Sequence, residues 1–331
     1  MRERTHNNEV VKAGENGGSW ALPALITSAG DDAARRFVEF FTANIRNPNT
    51  RQAYARAVGR FLRWAEDRGL GLEQLEPVMV AAYIEELAQA YPAPTVKQHL
   101  AAIQMMFDWM VSGGVLRTNP ASAVRGPKHV VKRGKTPVLD ADQARQLLGS
   151  IPLTNKHGGP DLVGLRDRAL IGVMVYSFAR VGAAVGMRLE DYYQDGKRWW
   201  LRLHEKGGKL HQVPAHHNAE KYLDEFLRAA GLEDKKAALF QTMTPRRELS
   251  GRAMHRNDVL RMIRRRARAA GLPEGTCCHT FRATGITAYL NNGGTIENAQ
   301  AIAAHESPRT TKLYDRTSDE ITLDEVEKIQ I

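Results

Sequence analysis

A basic segment near the middle of the chain, RGPKHVVKRGKTP (residues 125–137), divides the sequence into two parts with different apolar patterns. It contains two prolines and two glycines, and its apolar residues follow neither helical nor strand spacing. Domain boundaries commonly fall in such stretches. We therefore predict two domains joined by a basic linker over residues 126–137. Its positive side chains are suited to contact a phosphate backbone: Lys128, Lys132, Arg133 and Lys135.

The part before the linker has the spacing of a helical bundle. NTRQAYARAVGRFLRWAEDRG (residues 49–69) begins with a possible capping pair, Asn49 and Gln52, and ends at a glycine. Its apolar residues share one helical face: Tyr54, Val58, Phe61, Leu62 and Ala65. Residues 77–90 and 95–114 show similar periods. We predict an all-α domain over residues 30–125, preceded by a flexible leader over residues 1–29.

The part after the linker combines helices with a small antiparallel β-sheet. Asp140 and Gln143 form a second capping pair, and the apolar run at residues 162–178 predicts a core helix. KRWWLRLHEKGGKLHQVPA (residues 197–215) alternates apolar and polar residues on both sides of a glycine turn, which predicts a hairpin. Helical patterns then continue almost to the end. We assign residues 138–331 to this mainly α domain.

The charge balance of the chain favours a polyanionic partner. With 47 Lys and Arg against 37 Asp and Glu, the formal net charge is +10. Because no apolar run is long enough to span a bilayer, nucleic acid is a better candidate than a membrane. No secretory signal is visible in the N-terminal residues, so we expect a cytoplasmic protein. The two adjacent cysteines, Cys277 and Cys278, are unsuited to an ordinary disulfide framework.

Common enzymatic motifs are not found. The GGKL of the hairpin has neither the upstream glycine nor the following helix of a P-loop, and HEKGG has no second histidine with zincin spacing. Two adjacent thiols beside His279 cannot easily complete a tetrahedral metal site. We therefore expect no metal and no cofactor, and interpret both cysteines as buried and structural.

What remains is a set of dispersed basic groups and one hydroxyl nucleophile. The candidate catalytic residues are Arg180, Lys209, His279, Arg282, His305 and Tyr314. Each alone is more typical of a structural role, as a salt bridge, a surface lysine, an exposed helix face or a packed tyrosine, than of catalysis. Their order and spacing together indicate a function.

The first two candidates lie in segments that resemble the tyrosine recombinase family, the phage-integrase-like site-specific recombinases. ARVGAAVGMRLED is similar to the family's first arginine segment and places its arginine at Arg180. EKGGKLHQVP is similar to the family's β-hairpin, whose lysine corresponds to Lys209 by its spacing from the Val-Pro pair. The family commonly carries an acid three positions after the first arginine. Here that position is Ala183, which leaves the orientation of the neighbouring groups unexplained.

The remaining candidates complete the resemblance. HTFRATG matches the family's His-x-x-Arg motif with His279 and Arg282, and AHESPRTTKLYDR matches its final segment with His305 and the nucleophile Tyr314. The resemblance implies an N-terminal SAM-like core-binding domain, a tyrosine-recombinase catalytic domain and a 3′-phosphotyrosyl intermediate formed without metal or ATP. It also implies double-stranded DNA with specific recombination sites as partner, and a tetramer on DNA that exchanges its C-terminal tails.

The roles that the resemblance implies agree with phosphoryl-transfer chemistry. Arg180 and Arg282 would bind the nonbridging oxygens, and His305 would donate a further hydrogen bond. Lys209 would protonate the leaving 5′-oxygen, and His279 would assist proton transfer near the nucleophile.

Two other functions remain open from the residues. A DNA-relaxing enzyme of the topoisomerase IB kind would use the same chemistry alone and with little sequence preference. A catalytically inactive DNA-binding module would keep the fold only, and Ala183 is the best support for it. The tail beyond Arg316 could equally pack on its own domain, and the basic helix at residues 261–271 could be a solvated face.

Overall fold

The computed structural model describes residues 22–130, 134–205 and 208–314, and these residues form two compact units divided after Val130. Of the predicted linker, residues 131–133 lie outside the described residues, as does the predicted tail.

The first unit is helical, as predicted. Its α-helices are α1 (Ala24–Ser28), α2 (Asp31–Glu39), α3 (Pro48–Glu66), α4 (Pro77–Ala90) and α5 (Ala93–Ser112), and a π-helical turn over Phe40–Asn44 continues α2. Phe61 of α3 lies at the centre, where its ring meets the edges of Tyr83 from α4 and Phe107 from α5. Edge-to-face pairs of this kind add to the free energy of apolar burial.

Two details of the sequence analysis are wrong in this unit. Helix α3 begins at Pro48, because the side chain of Asn47, and not Asn49, accepts the free main-chain N–H groups of the first turn. Helix α1 lies inside the predicted flexible leader, and its Leu25 and Ile26 are buried in the core. These apolar side chains hold the segment against the bundle. The leader's residues 1–21 lie outside the described part of the chain.

The second unit contains eight described α-helices. They are α6 (Ala141–Gly149), α7 (Leu162–Tyr176), α8 (Val181–Val185), α9 (His217–Ala230), α10 (Arg256–Ala269), α11 (Cys278–Asn291), α12 (Ile296–Ile302) and α13 (Pro308–Lys312). The predicted cap of α6 is confirmed, since Asp140 and Gln143 each accept the other's main-chain N–H. The cysteines are free and half-buried at the start of α11, and the prediction of buried cysteines is therefore wrong, because this first turn is partly open to solvent.

The predicted hairpin is confirmed and belongs to a three-stranded antiparallel sheet. Strands β1 (Tyr192–Asp195), β2 (Arg198–His204) and β3 (Leu210–Pro214) pair in that order. A second hairpin, formed by β4 (Gln241–Met243) and β5 (Leu249–Ala253), has too short an apolar alternation to be predicted. Of the described helices, none is long and apolar enough to cross a membrane.

Helix α7 is the central element of the second unit. It packs on α9 and on α11, and the core around it buries Ala169, Leu170 and Val173 completely. Gly285 allows α11 to approach α7 closely, since a Cβ at this position would lie 2.1 Å from the carbonyl oxygen of Val175. This packing places the end of α7 beside the middle of α11.

Candidate active site

Arg180 follows the irregular turn after α7. The sequence predicted a helix over residues 162–178, but that helix ends at Tyr176 and Arg180 is the N-cap residue of α8. The chain leaves helical geometry at Phe178, whose φ is 54°. A terminal nitrogen of Arg180 donates to Glu205 Oε2 at 2.5 Å, and the side chains of Arg180 and Glu205 are 31% and 3% exposed. Arg180 is thus half-open to solvent and held on one side by a buried carboxylate.

Arg282, in α11, is almost completely buried. Its two terminal nitrogens donate to the carbonyl oxygens of Phe178 and Ala303. Phe178 and Ala304 have positive φ angles of 54° and 48°, a region that disfavours non-glycine residues and is often found at functional sites. The buried Nε of Arg282 has no hydrogen-bond partner among the described residues. Because a guanidinium has five N–H donors, a buried one with an unused Nε–H is suited to an anion.

His305 and Tyr314 stand face to face. The ring centroids are 5.6 Å apart and the planes differ by 11°. His305 Nδ1 lies 2.9 Å from the hydroxyl of Thr311, which is fully buried. The main chain of Tyr314 is anchored twice, since its N–H donates to the Thr311 carbonyl and its carbonyl accepts from the hydroxyl of Thr287. These contacts connect α11 and α13 to the tyrosine.

The pKa shifts show that these groups share one electrostatic environment. Burial, followed by the positive charges of Arg282 and Arg180, lowers the pKa of His305 to about 3. Desolvation and the same two charges lower the pKa of His279. Burial and the neighbouring Arg180 lower the pKa of Arg282 to about 10, while Glu205 and, less strongly, the phenol of Tyr314 act in the opposite direction. The geometry agrees for the two arginines and His305, because the carbonyls that Arg282 binds, those of Phe178 and Ala303, lie two residues before Arg180 and His305. His279 is exposed in the first turn of α11, and the pKa shift alone relates it to the two arginines.

Lys209 is the candidate that the described contacts do not join to this cluster. It is exposed in the loop between β2 and β3, and within the described ranges its amine makes no hydrogen bond or ion pair. Its main-chain carbonyl accepts from the N–H of Glu205, at 2.8 Å. The main chain of this loop is therefore hydrogen-bonded to Glu205, the residue that pairs with Arg180, whereas the side chain of Lys209 is not.

Comparison with known proteins assigns the chain to a family. Residues 137–320 match the phage integrase family, and residues 35–114 match the N-terminal SAM-like domain of phage integrases. The chain belongs to the phage integrase family. The resemblance and the fold class inferred from the sequence are thereby confirmed.

Individual members resemble the chain over most of its length. The tyrosine recombinase XerC of Salmonella typhi is 27% identical over 275 residues, which cover 81% of this chain and 85% of the relative. The XerH site-specific recombinase, solved in a post-cleavage complex with palindromic difH substrate, has a TM-score of 0.69 at 17% identity and covers 88% of this chain and 91% of its own. A lambda integrase tetramer bound to a Holliday junction has a TM-score of 0.66 at 21% identity, with 88% and 79% covered. At these identities the two structures establish the shared integrase fold.

Two residues that contact the cluster, Glu205 and Thr311, were not predicted from the sequence. Glu205 directly follows β2 and continues the alternation of the inward-facing Leu201 and Leu203, and a buried carboxylate requires a cationic partner. The pattern therefore contained a signal for Glu205. Thr311 has no such signal, because its contact with His305 depends on how the loop and α13 fold together.

At the position where the family commonly has an acid, Ala183 is part of the apolar core. Ala183 is 3% exposed and packs in the apolar core of the second unit, and the first turn of α8 contains no acid. In the described parts of the chain, no group of three or more His, Cys, Asp or Glu side chains is arranged to hold a metal ion.

Proposed function

We propose that the protein carries out site-specific DNA recombination through a 3′-phosphotyrosyl ester formed on Tyr314. As a tyrosine recombinase of the phage integrase family, it is an enzyme that cleaves and rejoins DNA strands. The observation that carries the proposal is the convergence of Arg180, Arg282 and His305 beside the ring of Tyr314.

The two arginines would bind the scissile phosphate. Arg180 is open enough to reach a nonbridging oxygen, and Arg282 has N–H donors in addition to the two that bind carbonyls. Guanidinium groups match phosphate oxygens in pairs, and donors fixed before the reaction stabilise the charge that develops on phosphorus. The mutual repulsion of the two guanidiniums is relieved when a dianionic transition state lies between them.

His305 would act as a neutral hydrogen-bond donor. Because its pKa is about 3, the imidazole is uncharged at neutral pH. If the Thr311 hydroxyl donates to Nδ1, the ring hydrogen resides on Nε2 and can be donated to a phosphate oxygen. The buried threonine would thus select the tautomer.

The remaining steps conserve atoms and charge. The phenolic oxygen of Tyr314 forms a bond to phosphorus as the bond from phosphorus to the 5′-oxygen breaks. His279, whose lowered pKa favours the neutral form, accepts the phenolic proton, and Lys209 supplies a proton to the departing 5′-oxygen. The phosphotyrosyl ester retains the energy of the broken bond, and a 5′-hydroxyl of another strand can therefore reverse the step.

Assembly into a tetramer would depend on the C-terminal tail. A cavity of about 540 Å³ lies between α7, β3 and α11, and its lining includes Val175, Phe178 and Tyr289. The tail, which lies outside the described residues, carries Ile321, Val326 and Ile329 among acids. We propose that this cavity receives the tail of a neighbouring protomer. Deleting residues 317–331 should then abolish recombination between two sites while preserving cleavage at one, and a tail packed on its own domain predicts intact recombination.

The nucleophile is tested by trapping a covalent adduct. Nicked suicide duplexes would be prepared from the DNA that flanks the gene, and adducts detected by denaturing electrophoresis. Tyr314→Phe should bind these duplexes without forming an adduct. Tyr289→Phe is the matched control, because Tyr289 packs in the same apolar cluster and should keep the adduct. An adduct that persists in Tyr314→Phe would place the nucleophile elsewhere.

The same assay separates the two other functions. An enzyme of the topoisomerase IB kind would form adducts on unrelated duplexes and would act at single sites. An inactive binding module would form none on any duplex.

A further inference from the structure

We propose that Glu205 is a positioning residue that holds Arg180 in the orientation needed to receive the scissile phosphate. This inference rests on the proposed function, because the orientation of Arg180 matters only if Arg180 binds phosphate. It assigns to the hairpin a task that helix α8 cannot perform, since Ala183 is apolar and the first turn of α8 has no acid.

The burial of Glu205 is the first support. Its side chain is 3% exposed and continues the inward face of β2 beyond Leu203. Removing a carboxylate from water is strongly unfavourable unless a cation and hydrogen bonds replace the water. Within the described residues, Arg180 is the ion-pair partner of Glu205, at 2.5 Å. Because this ion pair replaces the water that the buried carboxylate has lost, it restricts where the Arg180 guanidinium can lie.

The geometry of Arg180 is the second support. One terminal nitrogen is engaged by Glu205, whereas no other hydrogen bond of the guanidinium is found among the described residues. The other terminal nitrogen and Nε therefore remain available to a ligand. A long side chain that is 31% exposed would otherwise sample several rotamers, and fixing one edge of its planar group restricts the opposite edge.

Electrostatics provide a third support. Arg180 lowers the pKa of Arg282, whereas Glu205 raises it. The carboxylate thus offsets the repulsion between the two guanidiniums while the phosphate is absent. The main chain of Glu205 also binds both sides of the loop between β2 and β3, because its N–H donates to the Lys209 carbonyl and its carbonyl accepts from the N–H of Gly208. The same residue therefore connects the loop to the arginine.

The experiment measures the single-turnover rate of adduct formation at saturating protein. Glu205→Gln keeps the size of the side chain and removes its charge, and we expect adduct formation to slow by about 10- to 100-fold, the range typical of groups that orient a reactive ligand. Glu190→Gln is the matched control, because Glu190 is exposed and its only described ion pair is with Arg188, at 3.8 Å. The control should retain the wild-type rate within about twofold.

A double-mutant cycle distinguishes positioning from a merely structural role. If Glu205 acts through Arg180, Glu205→Gln should slow an Arg180→Lys protein by less than about twofold, although it slows the wild type strongly. Equal slowing in both backgrounds would overturn the inference. If Glu205→Gln acted by disturbing the fold, its slowing of adduct formation would add to the slowing caused by Arg180→Lys, because a folding defect does not depend on the guanidinium.

A second variant covers the case in which Glu205→Gln does not fold. Glu205→Asp keeps the charge but shortens the side chain by one methylene, and it should slow adduct formation by at least about fivefold if the position of Arg180 is decisive. A wild-type rate in Glu205→Asp would overturn the inference in that case. Wild-type rates in both variants, with the adduct still dependent on Tyr314, would overturn it and leave the proposed function intact.

Discussion

Replacing Gly285 with alanine tests whether close packing of α11 on α7 supports the candidate active site. The new Cβ would lie 2.1 Å from the carbonyl oxygen of Val175 and 2.8 Å from two ring carbons of Phe178. Neither neighbour is the flexible end of a long side chain. Because the Phe178 carbonyl accepts a hydrogen bond from Arg282, a displacement here is transmitted to the arginine.

The size of the effect follows from these distances. Ordinary contacts of a Cβ begin at 3.4 Å, and the Val175 carbonyl must therefore move away by roughly 1 Å in an interior that is close-packed. Overpacking typically destabilises a core by about 1–3 kcal/mol, and a clash with main-chain atoms belongs at the upper end. For a unit of this size, about 3 kcal/mol lowers Tm by roughly 6–12 °C.

The assay is thermal unfolding of the full chain by circular dichroism, followed by adduct formation below the lower Tm. Gly182→Ala is the control for stability, since a Cβ at this exposed position of α8 meets no atom within 4 Å. Alanine should leave α8 unchanged or stabilise it by up to about 1 kcal/mol. A Tm within about 2 °C of the wild type in Gly285→Ala would refute the argument that this glycine sets the distance between the two helices.

Three further predictions concern the cluster itself. The pKa of His305 is lowered from 6.5 to about 3 by burial and the two arginines, and the unfolded chain therefore binds more protons between these values. The contribution of His305 to the free energy of unfolding is therefore fully present above about pH 6.5 and is lost as the pH falls toward 3. Thermal unfolding of His305→Gln should show a shallower loss between pH 7 and 4, and an unchanged slope would assign the loss to other groups. Thr311→Val should destabilise the protein in denaturant by about 1–3 kcal/mol and slow adduct formation, whereas Thr311→Ser should resemble the wild type, because only valine leaves Nδ1 of His305 unpaired. Lys209→Ala should block release of the 5′-strand and be rescued by a substrate with sulfur at the scissile 5′-position, since a thiolate leaves without a proton; rescue in Lys206→Ala instead would transfer the role to that lysine.

Features that depend on neighbouring residues could be predicted from the sequence. The helices at residues 77–90 and 95–114, the cap of Asp140 and the hairpin follow from spacings of two to four residues. Side-chain faces in helices and strands are determined by such short periods. The predicted helix over residues 162–178 extends past the observed end of α7 at Tyr176, because the positive φ of Phe178 reflects contacts with α11 and not the preference of its own sequence.

The identity and order of the proposed reactive groups were determined by the sequence, because the chemistry of phosphoryl transfer restricts which side chains can act and their motifs are local. Only the tertiary structure decided what holds those groups. Arg180 pairs with a carboxylate 25 residues away, and Arg282 donates to a carbonyl 104 residues away. The free energy of burying a charge or an N–H depends on which distant partners replace water around it, and folding alone brings these partners together.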